Sequence, residues 1–211
     1  MGRCIILCPL YQGEEREWIA PKAGDLIICA DGGYDAALRW GIHPDLVIGD
    51  FDSMPESHVR DTEIIRLPVH KDDTDTVVCL REGRKRGFRE FLLLGALGGR
   101  LDHSLANLQC LYDCACRGES AWMADGLNRV TVLLPGEYTL EPPPGRYMSL
   151  LAYTPRVTGI CLRGTEWELE DAELDNRFPL GCSNWVRSKT IRLSFREGAL
   201  ILVWAGDRTK E

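Results

Sequence analysis

Apolar residues in the first two thirds of this chain come as short continuous runs, each closed by glycine, proline or an acid. Runs at 3–8, 25–30, 46–48, 63–67, 91–94 and 121–124 predict buried strands, and 128–134 reads as the last of the series. Between them, helical spacing of apolar positions predicts helices at 14–19, 34–40, 74–86 and 101–117. Strands that alternate with helices over short links argue for an α/β fold: a doubly wound, mostly parallel sheet with flanking helices. The pattern then changes. Pro135 and Gly136, and the run from Pro142 to Gly145, are turn punctuation, and no helical period follows. Further strands are predicted at 147–152, 158–162, 189–195 and 199–204, the third with Thr190, Arg192 and Ser194 alternating against Ile191, Leu193 and Phe195. The expected organisation is an α/β domain over 1–134 and a smaller all-β, sandwich-like domain over 135–211.

Composition narrows the function classes. The chain has 211 residues, 45% hydrophobic and 27% charged, with a net charge of −7. That balance is ordinary for a globular protein and leaves no long basic footprint for nucleic acid. The cationic cluster Arg81, Arg84, Lys85 and Arg86 stands at a predicted helix end, where cations complement the helix dipole. No apolar run reaches the roughly 18 residues of a membrane span, and the apolar start is too short for a signal peptide and reads as a strand. Nine cysteines are an odd number. Cys4, Cys8, Cys29 and Cys79 sit in apolar segments and fit buried thiols. Cys110, Cys114 and Cys116 lack the spacing and the histidine partner of a zinc site. The expected compartment is the reducing cytoplasm.

The chemistry concentrates at the ends of the predicted strands. The run Gly-Asp-Phe-Asp-Ser at 49–53 follows a buried strand and brings Asp50 and Asp52 one residue apart, with Ser53 behind them. Paired carboxylates repel unless a cation neutralises them, and Mg²⁺ takes one or two carboxylates and completes its shell with water and phosphates. Asp31, Gly32 and Gly33 close another strand ahead of a helix, a layout in which backbone N–H groups meet phosphate. Lys71, Thr74 and Asp75 lie at the start of the 74–86 helix: Thr74 or Asp73 caps it, and Lys71 is a point charge suited to phosphate. Gly98, Gly99, Arg100, Asp102 and His103 form a second strand–glycine turn–helix unit, which lacks the Gly-Lys-Ser/Thr ending of a P-loop. His103 reads as a first-turn histidine with local hydrogen bonds or as a general base. An open α/β sheet brings Asp31, Asp50, Asp52, Asp75 and Asp102 to one edge with Lys71 and Arg100, a set suited to Mg²⁺-nucleotide binding and phosphoryl-type transfer. In the second domain, Gly181, Cys182, Ser183, Asn184 and Trp185 read as a turn followed by an aromatic.

The order of these motifs closely resembles the thiamine pyrophosphokinase family over nearly the whole chain. The resemblance implies an N-terminal catalytic domain, a C-terminal β-sandwich that helps bind thiamine, and a homodimer with the active site at the subunit interface. It implies transfer of the pyrophosphoryl group of ATP to the hydroxyl of thiamine, giving thiamine diphosphate and AMP. Carried over by motif, Asp50, Asp52 and Asp75 hold Mg²⁺, while Lys71 and Arg100 neutralise developing charge. Asp75 or Asp102 orients or deprotonates the hydroxyl. Asp31, Gly32, Gly33, Ser53, Thr74, Gly98, Gly99 and Arg100 form the nucleotide side. Ser183, Asn184 and Trp185 (with Asp102) form the thiamine side. Two positions depart from the family pattern: His70 precedes Lys71 and Trp185 follows Ser-Asn, in both cases where an acid is expected. A pyrophosphokinase or kinase for another heteroaromatic alcohol, and a non-catalytic thiamine or nucleotide sensor, are the alternatives.

Overall fold

The computed structural model describes residues 2–12, 20, 22–51, 55–68 and 72–207. The expected 14–19 helix therefore lies outside the described residues, as do Asp52, Ser53, His70 and Lys71. The chain divides into two compact units, Met1–Gly126 and Leu127–Glu211.

The first unit is built on six strands: β1 (Cys4–Leu7), β2 (Leu26–Ala30), β3 (Leu46–Gly49), β4 (Glu63–Arg66), β5 (Glu90–Leu94) and β6 (Ser120–Ala124). They run in the order β6-β5-β1-β2-β3-β4, and every pairing among them is parallel. Its helices are α1 (Gly33–Arg39), α2 (Asp75–Lys85) and α3 (Leu101–Cys116). Strand residues alternate between two covered faces, which is why the runs are apolar throughout. Ile5, Leu7, Ile27, Cys29, Val47, Leu92 and Leu94 cluster with Tyr34, Ala36 and Ala37 of α1. Their neighbours Cys4 and Phe91 face Gly83 of α2 instead, so helices cover both sides. The chain winds from β1 outward to β4, then returns through α2 to β5 on the other side of β1. That reversal is the topological switch point of a doubly wound sheet.

The second unit holds β7 (Asn128–Leu133), β8 (Gly136–Leu140), β9 (Tyr147–Ala152), β10 (Arg156–Arg163), β11 (Leu169–Asp175), β12 (Asn184–Trp185), β13 (Ile191–Phe195) and β14 (Leu200–Ala205). Strands β12-β9-β14-β7 form one antiparallel layer and β11-β10-β13-β8 the other. Met148, Leu150, Ile160, Leu162, Leu193, Leu202 and Trp204 are buried in its core. Three features differ from the expectation. β7 belongs to this unit and not to the region ending at 134, because it pairs with β14 along its whole length. β8 and β11 are the two edges of their sheet, and β11 carries no clear apolar alternation because charges such as Glu170, Asp171 and Glu173 discourage strand addition there. The Asn184–Trp185 pair falls in a two-residue strand that pairs antiparallel with Met148 and Tyr147 of β9, where a turn is expected.

Candidate active site

Because all six strands of the first unit are parallel, their carboxyl ends share one edge. At that edge the Cys8 N–H donates to the Leu94 carbonyl (2.8 Å), joining the exits of β1 and β5 at the switch point. Gly33, the first residue of α1, packs on the end of β1: a Cβ there would run into the Leu7 carbonyl oxygen. Gly32 is the residue before that helix and makes no side-chain cap, and its carbonyl accepts from Ala36 N–H (3.4 Å).

Asp31 leaves β2 in the left-handed region (φ 41) and is buried, with 7% of its surface exposed. Its N–H donates to the Ile48 carbonyl (2.8 Å), which sets it beside Gly49 on the neighbouring strand. A Cβ on Gly49 would lie 2.9 Å from Asp31 Oδ1. The absent side chain of Gly49 thus makes room for the Asp31 carboxylate, one residue before half-buried Asp50. Phe51 follows at φ 61, a second strained position at the strand end.

Thr74 caps α2, its Oγ1 accepting from Val77 N–H (3.4 Å), and Asp75 stands in the first turn. Asp75 lies near the end of β1: burial, with a smaller contribution from the Asp75 charge, pushes the Cys8 thiol up to about 12. Asp31, Asp50 and Asp75 are therefore gathered by β2, β3 and α2 at one edge. Among the described residues no three metal-ligating side chains converge tightly enough to hold an ion alone. Mg²⁺ needs fewer, because water and phosphate supply the rest of its shell, and an all-carboxylate donor set fits that hard cation.

Gly98 and Gly99 lie in left-handed conformations (φ 87 and 60) between β5 and α3. Gly98 N–H donates to Ser104 Oγ (3.1 Å), and buried Asn107 donates to the Ala96 carbonyl (2.9 Å), so the turn is fastened to its helix at two points. Arg100 and Asp102 are both exposed and bind each other through Nε–Oδ1 (3.1 Å) and Nη2–Oδ2 (2.5 Å). Those hydrogen bonds hold the Asp102 carboxyl below the usual carboxylate range. Asp102 also accepts the backbone N–H of His103 (3.0 Å).

In the second unit, Ser183 is exposed at φ 57 and its N–H donates to Ser149 Oγ (3.0 Å). Asn184 is buried, and its amide binds the Thr165–Trp167 turn. Asn184 lines a cavity of about 460 Å³ together with Met148, Leu150, Leu162, Trp167, Leu180 and Cys182. That is the size and apolar character of a small-ligand site with one amide at its wall. Trp185, one residue on, faces a different groove, since successive strand residues point to opposite faces. Its ring meets Tyr147 edge-on (5.0 Å) and carries the Arg187 guanidinium 5.8 Å from its centre. Asn184 and Trp185 line different grooves, and Ser183 is exposed between the turn and β12. The aromatic that does line the cavity is Trp167, 57% exposed. Its signal in the sequence is faint: an indole between Glu166 and Glu168, where neither strand period calls for one.

Comparison with known proteins agrees with this layout. The family model described as "Thiamin pyrophosphokinase, catalytic domain" matches residues 20–123, and "Thiamin pyrophosphokinase, vitamin B1 binding domain" matches 137–200. The thiamine pyrophosphokinase of Bacillus subtilis (strain 168) is 29% identical over 203 residues, covering 93% of this chain and 91% of the relative. Among solved structures, the thiamin pyrophosphokinase of Geobacillus thermodenitrificans superposes with a TM-score of 0.86 at 26% identity, covering 99% of each chain. The Bacillus subtilis structure superposes with a TM-score of 0.88 at 24% identity of superposed residues, over 98% of this chain and 100% of that one. With both parts matched in order and nearly every residue aligned, the chain belongs to the thiamine pyrophosphokinase family.

Proposed function

We propose that this enzyme transfers the pyrophosphoryl group of ATP to the hydroxyl of thiamine, releasing AMP and forming thiamine diphosphate. The observation that carries the reading is the strand-end arrangement beside the switch point: at the ends of β2 and β3, Asp31 fits against the bare Cα of Gly49 next to Asp50, and Asp75 opens α2 near the end of β1. Asp50, Asp52 and Asp75 are the proposed Mg²⁺ ligands. When bound, the ion neutralises triphosphate charge and orients the β-phosphorus. Arg100 and Lys71 supply fixed positive charge where negative charge develops on the phosphoryl oxygens. Asp31, Gly32, Gly33, Ser53, Thr74, Gly98 and Gly99 shape the nucleotide side. Asp75 or Asp102 takes the hydroxyl proton: until phosphate draws Arg100 away, both oxygens of Asp102 are engaged by that guanidinium, which lowers its affinity for a proton, while Asp75 is shared with the metal.

The acceptor rings belong in the apolar cavity of the second unit, against Trp167 and Leu180, with Cys182 and Asn184 on its wall. A homodimer that places this cavity opposite the partner's strand-end site is supported by two sets of bare apolar side chains. Leu101 and Leu105 stand one turn apart on α3, 71% and 54% exposed, and Phe178 and Leu180 are each 66% exposed in the second unit. Contact over such patches removes apolar area worth about 25 cal/mol per Å². No helix among the described residues is long and apolar enough to cross a membrane. Nine free cysteines, six of them buried, support the cytoplasm as the working compartment.

The test is nucleotide analysis after mixing the protein with Mg-ATP, with and without thiamine. AMP and thiamine diphosphate appearing together, only with both substrates, is the expected result. ADP with thiamine monophosphate would overturn pyrophosphoryl transfer in favour of simple phosphorylation.

A further inference from the structure

We propose that Asn184 is a positioning residue, which fixes the Trp167 turn as one wall of the acceptor cavity and does not itself grip the acceptor. The proposal rests on the reading of that cavity as the thiamine site.

The geometry of the turn carries it. Residues 164–168 lie along β12, which is only two residues long. Glu166 N–H donates to the Trp185 carbonyl (2.8 Å), and Thr165 bridges Val186, after which backbone partners run out. Without Asn184 the Trp167 N–H would lose its partner and the Trp167 carbonyl would keep only the Thr165 hydroxyl. The Asn184 side chain supplies the missing rung. Its Oδ1 accepts Trp167 N–H (3.1 Å), and its Nδ2 donates to the Trp167 carbonyl (2.7 Å) and to Thr165 Oγ1 (3.1 Å). Thr165 Oγ1 in turn donates to the same carbonyl (3.1 Å). A backbone N–H on one side and a backbone C=O on the other fix which way the amide points. With both Nδ2 protons and an Oδ1 lone pair used, the amide has little left for a ligand.

Trp167 depends on this tether. Its indole is more than half exposed, so packing does not hold the ring. The ring's position is inherited from a backbone that one side chain anchors. A wall held this way raises affinity by preorganisation without touching the reacting atoms.

Asn184→Asp tests the idea with minimal change of shape: it keeps an acceptor for Trp167 N–H but turns an anion towards the Trp167 carbonyl. The KM for thiamine is expected to rise about tenfold, with kcat at saturation reduced less than about threefold and the KM for ATP unchanged. Trp167→Ala is expected to raise the thiamine KM at least as much, and the double variant no further than Trp167→Ala alone. Effects that multiply would show Asn184 acting on the acceptor directly and would overturn the proposal. Thr165→Val, which removes the supporting hydroxyl, is the second variant, with a smaller rise that also vanishes in the Trp167→Ala background. Amide hydrogen exchange at Trp167, measured without substrate, is expected to accelerate in Asn184→Asp while core amides of β10 and β14 stay protected. A raised KM with unchanged exchange at Trp167 overturns the tether alone. Accelerated exchange in a protein whose wild type turns over no thiamine overturns instead the reading of the cavity, and with it the functional role.

Discussion

Gly49→Ala separates the catalytic use of the strand-end cradle from its stability. The new Cβ would lie 2.9 Å from Asp31 Oδ1 and 3.0 Å from Asp31 Cα and Cβ. Comfortable contact begins near 3.5 Å, so Asp31 must retreat by about half an ångström. Gly49 itself needs no left-handed backbone, so strain of that kind does not enter. Overpacking of this degree costs about 1–3 kcal/mol, read as a fall in Tm of roughly 2–4 °C per kcal/mol. A misplacement of 1 Å costs about 10²-fold in rate, so half of that predicts a loss of about tenfold in kcat/KM for ATP. The thiamine KM is expected to hold, because the acceptor cavity lies in the other unit. Steady-state kinetics and a thermal melt on the same preparation give both numbers. A lowered Tm with unchanged kcat/KM for ATP would refute a role for Asp31. Gly33→Ala is the contrast, because the obstacle there is the Leu7 carbonyl, which cannot rotate away. It is expected to lose more stability than Gly49→Ala.

Asp52→Asn is expected to abolish turnover and leave the circular dichroism spectrum intact; near-normal kcat at saturating Mg²⁺ would sink the metal assignment. Asp102→Asn keeps an acceptor for Arg100 and removes only proton affinity, so a loss of 10² or more in kcat with a changed acid limb of the pH profile makes Asp102 the base, and a fall of less than about tenfold with an unchanged acid limb leaves that role to Asp75. Glu119→Gln should cost about 3 kcal/mol in a urea titration, the low end for a broken buried pair. The Glu119 side chain is fully buried against Arg84 (2.8 Å) and Arg89 (3.1 Å), but Arg84 retains Asp113 (3.0 Å). Burial pushes the thiols of Cys8 and Cys114 up to about 12, so at pH 8 their thiolate fractions are on the order of 10⁻⁴ and they should resist iodoacetamide until the protein unfolds. Exposed Cys116 and Cys182 should label first, with thiamine slowing only Cys182, which lines the cavity. Labelling of Cys8 as fast as Cys182 would contradict the burial.

The doubly wound unit is legible because its inner strands are buried on both faces, which leaves continuous apolar runs such as those of β1 and β5. The strand-end placement of Asp31 and Asp50 followed from the same rule. The partnership of Asp31 with Gly49 did not, because it depends on the register between β2 and β3, to which no local pattern in either strand points. In the second unit, β11 was hidden by its edge position, which favours acids over alternation. Trp185 drew notice as the aromatic after Ser-Asn, yet period two sends it away from Asn184. Trp167, from a turn with no periodicity, occupies the cavity wall instead. Side-chain roles set by long-range pairing are the part that sequence patterns do not encode.

The Arg100–Asp102 pair shows how a site can be shaped before substrate arrives. Both side chains are largely exposed, so water and salt screen the pair and it adds little to stability. Drawing Arg100 off towards a polyanionic phosphate therefore costs little, while the pair keeps the guanidinium near the glycine turn in the meantime. Ser104 does the same for the backbone: its hydroxyl accepts Gly98 N–H and donates to the Gly98 carbonyl (3.2 Å), holding the turn through one side chain. Buried Asn107 fastens Ala96 more permanently, since a polar group withdrawn from water loses far more when its partner is removed. In the proposed site, weak and exposed partners thus hold the groups that would exchange them for phosphate, and buried partners hold those that would stay.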